Sequence, residues 1–368
     1  MDRRRFIHVT AISPVIASAL QSGLLPWSSE QAYAGETFTD PESAGELYRL
    51  QGEYLGVVEG WNGTWGAQVI ATSDKTFEVH MLQGGLPGDG FKSREPTRIC
   101  KAELGQGGVA KGKHEQFSVS FNGTTMTVSD DAGNKVGSLT KILRESKTLG
   151  MEPPKGASVL FDGANADQFE GGKIVDSKYL GVGCKSTERF QSHRLHLEFQ
   201  TPFQPSDSGQ GRGNSGVYIQ GRYELQVLDS FGLLGENNEC GGIYQIANPR
   251  LNMCYPPLSW QTYDIVFKAA KFDNDGKKTK NARVTIHHNG VLIHDDLELP
   301  RGTPGGVSDE VPEPGPLYLQ DHSNPVRFRN IWVVTNESAL EGKVGQDGKP
   351  GEKKSGLGAE ISVEATLK

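Results

Sequence analysis

The chain has 368 residues, enough for two domains plus tails. Hydrophobic residues make up 35% of it, and no run of 18 apolar residues occurs, which excludes a membrane-spanning helix. Lys and Arg total 38 against 45 Asp and Glu; the formal charge of −7 leaves no overall basic footprint for a nucleic-acid backbone. The 47 glycines lie well above the ~7% usual in soluble proteins, and Asn-Gly and Asp-Gly pairs recur while helical runs are few, which together predict an all-β protein.

Residues 1–34 have the layout of an export signal. Arg3-Arg4-Arg5-Phe6-Ile7 follows the start, and Ala11 to Leu25 is small and apolar, diluted by Ser13, Pro14, Ser18 and Gln21. Ala32-Tyr33-Ala34 before Gly35 fits a small-x-small cleavage site. The adjacent arginines before Phe-Ile resemble a twin-arginine signal, which a receptor reads and which is not an anchor. An amphipathic helix of the fold is the alternative. The signal implies a periplasmic or extracellular protein.

Residues 46–150 hold short alternating runs, among them Gln68–Thr72, Phe77–Met81, Phe117–Phe121 and Thr125–Val128. Ser73-Asp74-Lys75 and Asn122-Gly123 punctuate them as hairpin turns, so a small β domain is expected, with no chemistry attached. The stretch Gln83–Gly90 is too glycine-rich for a regular element. No Lys-Ser/Thr follows it and no helix opens after it, so it reads as a plain loop and not a phosphate cradle.

Met151-Glu152-Pro153-Pro154-Lys155-Gly156 breaks the pattern and sets a domain boundary. Over 157–335 at least eight strand-like runs follow, with a strong two-residue hairpin signal at Asn289-Gly290. Many antiparallel strands without helical spacing imply a two-sheet sandwich or jelly roll. Residues 336–368 are polar, with Gly, Lys and Pro dominant through Ser355. Such a tail cannot bury enough apolar area to offset chain entropy, so disorder is expected. Cys100, Cys184, Cys240 and Cys254 show no metal-knuckle spacing; Cys240 and Cys254 would be able to pair in an oxidising compartment, or all four are separate buried thiols.

Several strands carry polar groups on one side. In Gly216–Gln220 and Tyr223–Asp229, period-two alternation puts Tyr218 with Gln220 and Glu224 with Gln226, while Val217, Ile219, Leu225 and Val227 face the core. Asp229 joins the polar set only if a bulge shifts the register. Leu317–His322 and Arg327–Trp332 offer further polar groups. Such a face suits a sugar, with aromatic rings stacking and amides binding hydroxyls. Glu224 also fits a solvated strand carboxylate, and Arg329 a structural ion pair. His287, His288 and His294 flank the Asn289-Gly290 hairpin and read as surface or pairing residues. His322 beside Asp321 is of more interest, since a carboxylate fixes an imidazole tautomer.

Leu160-Phe161-Asp162-Gly163, Arg194–Phe199, Asn214–Tyr218, Tyr223–Asp229, Trp260–Asp264, His288–Val291, Leu319–His322 and Phe328–Trp332 occur in an order that resembles the 3-keto-disaccharide hydrolase domain family. The resemblance covers about residues 157–335. It implies a concanavalin-like jelly-roll sandwich, preceded here by a small β-rich domain, and cleavage of glycosides already oxidised at carbon 3. A ketone there acidifies the carbon-2 proton, so a carboxylate can act as general base. The enolate needs a cationic or hydrogen-bonding partner, and it expels the aglycone from carbon 1 before water adds.

On that reading Glu224 is the base or a metal ligand, with Gln226 and His322 beside it and Arg329 neutralising charge. Tyr218, Gln220, Asn214, Gln320 and Asp229 contact the sugar, and Glu224, Asp229 and His322 would hold a divalent cation. The partner is a small carbohydrate. Two alternatives stand beside it. Glu224-x-Gln226-x-x-Asp229 is similar to the Glu-x-Asp-x-x-Glu of laminarinase-like glycosidases with acids exchanged, and a lectin-like module would use the same aromatic and amide groups.

Overall fold

A computed structural model describes residues 35–335; the expected export signal and the polar tail lie outside them. Among the described residues there is one α-helix, α1 (Gly45–Leu50), and almost everything else regular is strand.

The first half is a barrel. Its staves are β1 (Gly52–Val58), β2 (Thr64–Ala71) and β3 (Thr76–Gln83); a loop then carries the two-residue strands β4 (Leu86–Pro87) and β5 (Gly90–Phe91). β6 (Arg98–Leu104), β7 (Ala110–Lys113), β8 (Phe117–Phe121), β9 (Thr125–Asp130) and β10 (Lys135–Ile142) complete it. The order β1-β10-β9-β8-β7-β6-β3-β2 closes on itself, so every edge is paired. Alternation drives the closure. Phe117, Val119 and Phe121 point inward with Tyr54, Phe77 and Met126, whereas Ser118 and Ser120 are half-exposed. The Gln83–Gly90 stretch is not wholly irregular, because β4 and β5 pair in parallel there.

The second half is two antiparallel sheets over one core. Its strands are β11 (Ser158–Phe161), β12 (Phe169–Glu170), β13 (Ile174–Val175), β14 (Tyr179–Leu180), β15 (Cys184–Phe190) and β16 (His193–Gln200). Then come β17 (Ser215–Ile219), β18 (Tyr223–Val227) and β19 (Gln261–Lys268), followed by a small outlying pair, β20 (Lys271–Phe272) and β21 (Lys278–Lys280). β22 (Ala282–His288), β23 (Val291–Leu299), β24 (Gly315–Leu319) and β25 (Arg327–Val334) end the fold. The larger sheet runs β13-β14-β25-β16-β19-β22-β23, with β11 beside β25; the smaller runs β12-β15-β24-β17-β18.

Leu195, Leu197 and Phe199 of β16 meet Val217, Ile219, Leu225, Val227, Leu317 and Leu319 of the smaller sheet in one apolar cluster. Period two then dictates the rest: the intervening residues of each strand lie on the outer face of their sheet. The β22–β23 turn has Asn289 and Gly290 at φ 52° and 77°, the paired positive values that make Asn-Gly the favoured hairpin dipeptide.

The hairpin histidines correct the surface reading. His288 and His294 are buried, His288 bonded to Gln261 Oε1 at 3.0 Å and His294 to the Gly241 carbonyl at 2.7 Å. Burial holds His288 down to about 3, so it is neutral in the fold. All four cysteines are buried free thiols.

Candidate functional site

The site sits on the outer face of the smaller sheet. β17 and β18 pair Tyr218 with Glu224 and Gly216 with Gln226, and β24 sets Tyr318 beside Tyr218. Edge strand β18 is covered rather than left open. Gln226 N donates to the Gly242 carbonyl at 2.9 Å and Tyr244 N to the Glu224 carbonyl at 3.2 Å. Glu224 N donates to Thr303 Oγ1 at 2.8 Å, which covers the same edge.

Glu224 is 3% exposed. Tyr218 Oη lies 2.7 Å from its Oε2, and no cation pairs with it among the described residues. Burial therefore pushes its carboxyl up to about 7, and the Tyr218 hydrogen bond only partly opposes that. Gly216 makes the room: a Cβ there would stand 2.5 Å from Glu224 Oε1. A carboxyl with this value changes charge in the range where a general base works best.

Around it are the amides expected to bind sugar. Gln226 Nε2 donates to Asn214 Oδ1 at 2.8 Å, and Asn214 Nδ2 donates to the Gln210 carbonyl at 2.8 Å. Gln320 Nε2 points to Tyr218 Oη at 3.4 Å, while its buried Oε1 has no partner. A buried acceptor left open in this way can take a donor from a bound molecule. Glu224, Tyr218, Gln226, Asn214 and Gln320 thus share one face.

Three expectations need correction. Arg329 is on the outer face of the larger sheet, with the hydrophobic core between it and Glu224. Its Nε donates to Glu198 Oε2 at 2.6 Å and its guanidinium lies 4.0 Å from the Trp260 ring centre. Phe328, Ile331 and Val333 take the core positions of β25, and a register shift between them, with Asn330 at φ 47°, leaves Arg329 on the outer face. Asp229 lies beyond the end of β18 and accepts from Arg212 Nε at 2.6 Å, both side chains buried. That carboxylate is spent on an ion pair, not on a sugar. Gln220 closes the β17–β18 turn at φ 54° and its Nε2 donates to the Phe190 carbonyl at 2.8 Å, so it is structural.

His322 is exposed in the loop after β24, and no hydrogen bond or ion pair joins it to Glu224. The loop does border the site, because Asn324 Oδ1 accepts from Asn214 N at 2.6 Å. Among the described residues no three His, Cys, Asp or Glu side chains converge as cation ligands. The set Glu224, Asp229 and His322 therefore does not fit a metal, with Asp229 held by Arg212 and His322 on the rim.

Thr303–Val307 was not legible as part of the site. The Pro304 carbonyl lies 2.8 Å from Tyr218 Oη, and a Cβ on Gly305 would stand 2.5 Å from the same phenol oxygen. The dipeptide Gly305-Gly306 after Pro304 signals a turn, but nothing in its chemistry points to a distant tyrosine. A cavity of about 630 Å³ on the barrel, lined by Thr72, Phe77, Lys101 and Lys111, includes none of these residues.

The likeness to known proteins lies in the same half of the chain. Residues 156–334 match the family model of the 3-keto-alpha-glucoside-1,2-lyase-like domain. A solved Parabacteroides distasonis protein described as a "putative glycosyl hydrolase" is 30% identical, over 50% of this chain and 84% of that one, with a TM-score of 0.46. A second from the same organism, described in the same words, is 17% identical over 53% of this chain and 99% of its own, with a TM-score of 0.36. No curated protein matches. The sandwich built around Glu224 and the matched segment coincide, and through residues 156–334 the chain belongs to the 3-keto-alpha-glucoside-1,2-lyase-like domain family.

Proposed function

We propose that this is an exported carbohydrate-active enzyme that cleaves 3-keto-glycosides by elimination at carbon 1 followed by hydration. The observation that carries the reading is Glu224: a buried carboxyl raised to about 7 and hydrogen-bonded to a phenol. Removal of a proton made acidic by the carbon-3 ketone requires one base of that kind. Direct displacement would need two carboxyl groups about 5–5.5 Å apart in a retaining enzyme. Asp229, the only other acid of the Glu224-x-Gln226-x-x-Asp229 run, is committed to Arg212.

Gln226, Asn214 and Gln320 supply amides for hydroxyls, and Tyr318 beside Tyr218 supplies ring surface. The arginine-led N-terminus supports export, with the substrate met outside the cytoplasm.

Glu224→Gln tests the reading. The variant should fold and bind 3-keto-glucoside, yet lose turnover by about 10²–10⁴-fold. Equal cleavage of an unoxidised p-nitrophenyl glucoside by the wild type would show that carbon-2 deprotonation is not the mechanism. Sugar binding without any turnover would identify a lectin-like module instead.

A further inference from the structure

Resting on the elimination just described, we infer that Tyr218 is the general acid for the departing aglycone and is reprotonated directly by Glu224. Its phenol stands between two acceptors, Glu224 Oε2 at 2.7 Å and the Pro304 carbonyl at 2.8 Å, and it has one proton to give. Ionised Glu224 accepts from that phenol at Oε2. Once it has taken the carbon-2 proton it becomes the donor to Tyr218, whose own proton is then free to turn to the Pro304 side. That is a two-step proton path already laid out, from carboxyl to phenol to an oxygen beyond it.

Gln320 Nε2, 3.4 Å from the phenol oxygen, occupies its remaining acceptor side and helps aim the O–H at Pro304. In the reaction the aglycone oxygen would take the place of the Pro304 carbonyl. Tyr218 is fully buried, so the exposed Pro304-Gly305-Gly306 segment must lift for that exchange. Its ends stay tied, by Thr303 N to the Arg222 carbonyl and by Val307 N to the Gly221 carbonyl, each at 2.8 Å.

The step balances. The C2–H bond breaks and its proton goes to Glu224. The released electron pair forms the C1=C2 double bond as the C1–O bond breaks. The aglycone oxygen keeps both electrons of that bond and takes the phenol proton. Glu224 then hands its proton to the tyrosinate, which returns both groups to their starting charge. No oxidant or metal is consumed. Burial beside a carboxylate keeps the phenol protonated until an alkoxide appears.

Tyr218→Phe, compared on methyl and p-nitrophenyl 3-keto-glucosides, tests the assignment. An alkoxide needs a proton to leave and a nitrophenolate does not. The variant should lose about 100-fold or more in kcat/KM on the methyl compound. It should stay within about tenfold of wild type on the nitrophenyl one, and still exchange the carbon-2 hydrogen with D2O. Equal loss on both substrates would overturn the acid role and make Tyr218 a positioning residue for Glu224.

If Tyr218→Phe does not fold, the wild type carries the test. With an acid in place the two aglycones turn over within about tenfold of each other, whereas a lag of about a thousandfold for the methyl compound overturns the proposal. A wild type that neither exchanges carbon-2 hydrogen nor cleaves defeats the elimination reading itself. Exchange with the methyl lag defeats only the acid.

Discussion

At the scale of the residue, Glu224 is set by what it lacks. Its neighbours are a phenol, a glycine and backbone, so burial goes uncompensated and its value rises to about 7 from 4.5. As a base it works only when ionised, so kcat/KM should rise with pH and level off above about 7. A profile flat from pH 5 to 9 would exclude it. Stability runs the other way: the unfolded carboxyl ionises from about 4.5 upward while the folded one stays protonated. Its contribution is full below that value and is lost as pH rises to about 7, and Glu224→Gln should remove that slope from the melting temperature. Gly216→Ala places a Cβ 2.5 Å from Glu224 Oε1 and must displace the carboxyl. A shift of about 1 Å is enough for a loss near 100-fold in kcat, with sugar affinity less affected. Alternation in the sequence put Tyr218 with Gln220 and Glu224 with Gln226, and the pairing of Tyr218 with Glu224 came from the register of β17 and β18. The value near 7 was not legible in the sequence either, because it depends on which groups other strands bring near.

At the scale of the element, β16, β19 and β25 carry a polar network on the outer face of the larger sheet. His196 Nδ1 lies 2.8 Å from Asp264 Oδ1, and its ring stacks on Trp332 at 5.1 Å. Burial alone would lower its value, but Asp264 and Glu198 outweigh burial and raise it. Glu198 shows the opposite balance: burial works to raise it, while His196, Arg329 and Asn330 hold it down to about 2. The same groups clamp the chain between barrel and sandwich. Gly150 N donates to Glu198 Oε1 at 2.6 Å and Thr148 Oγ1 to Asp264 Oδ2 at 2.7 Å. A raised imidazole adds stability that is complete below its unfolded value of about 6.5 and fades as pH climbs through the folded one. Asp264→Asn should cost about 3–5 kcal/mol, as expected when one member of a buried ion pair is removed. Thermal melts at several pH values check both, and a loss below 1 kcal/mol would show the network contributes little. Sequence alternation puts His196 with Glu198, yet their hydrogen bonds to other elements span 48 to 132 positions, beyond the reach of any local pattern.

For the whole molecule, Arg212 ties the sandwich to the barrel. Its Nε donates to Asp229 and its Nη1 to the Ala71 carbonyl of β2 at 2.9 Å. Arg212→Ala strands a buried carboxylate and should lower stability by about 3–5 kcal/mol. Turnover well below the new melting temperature should survive, since Asp229 is outside the Glu224 site; its abolition in a folded variant would return Asp229 to the machinery. Glycine content, Asn-Gly turns and period-two runs sufficed for an all-β chain, because those signals arise from backbone sterics within a few residues. The ordered motifs from Leu160 to Trp332 likewise marked the family. Closure of the barrel, the separation of Arg329 from Glu224 by a full core, and the Pro304 carbonyl over Tyr218 came only with the fold. Each is a relation between segments far apart in the chain, fixed by which faces bury apolar area together, and no local spacing encodes it.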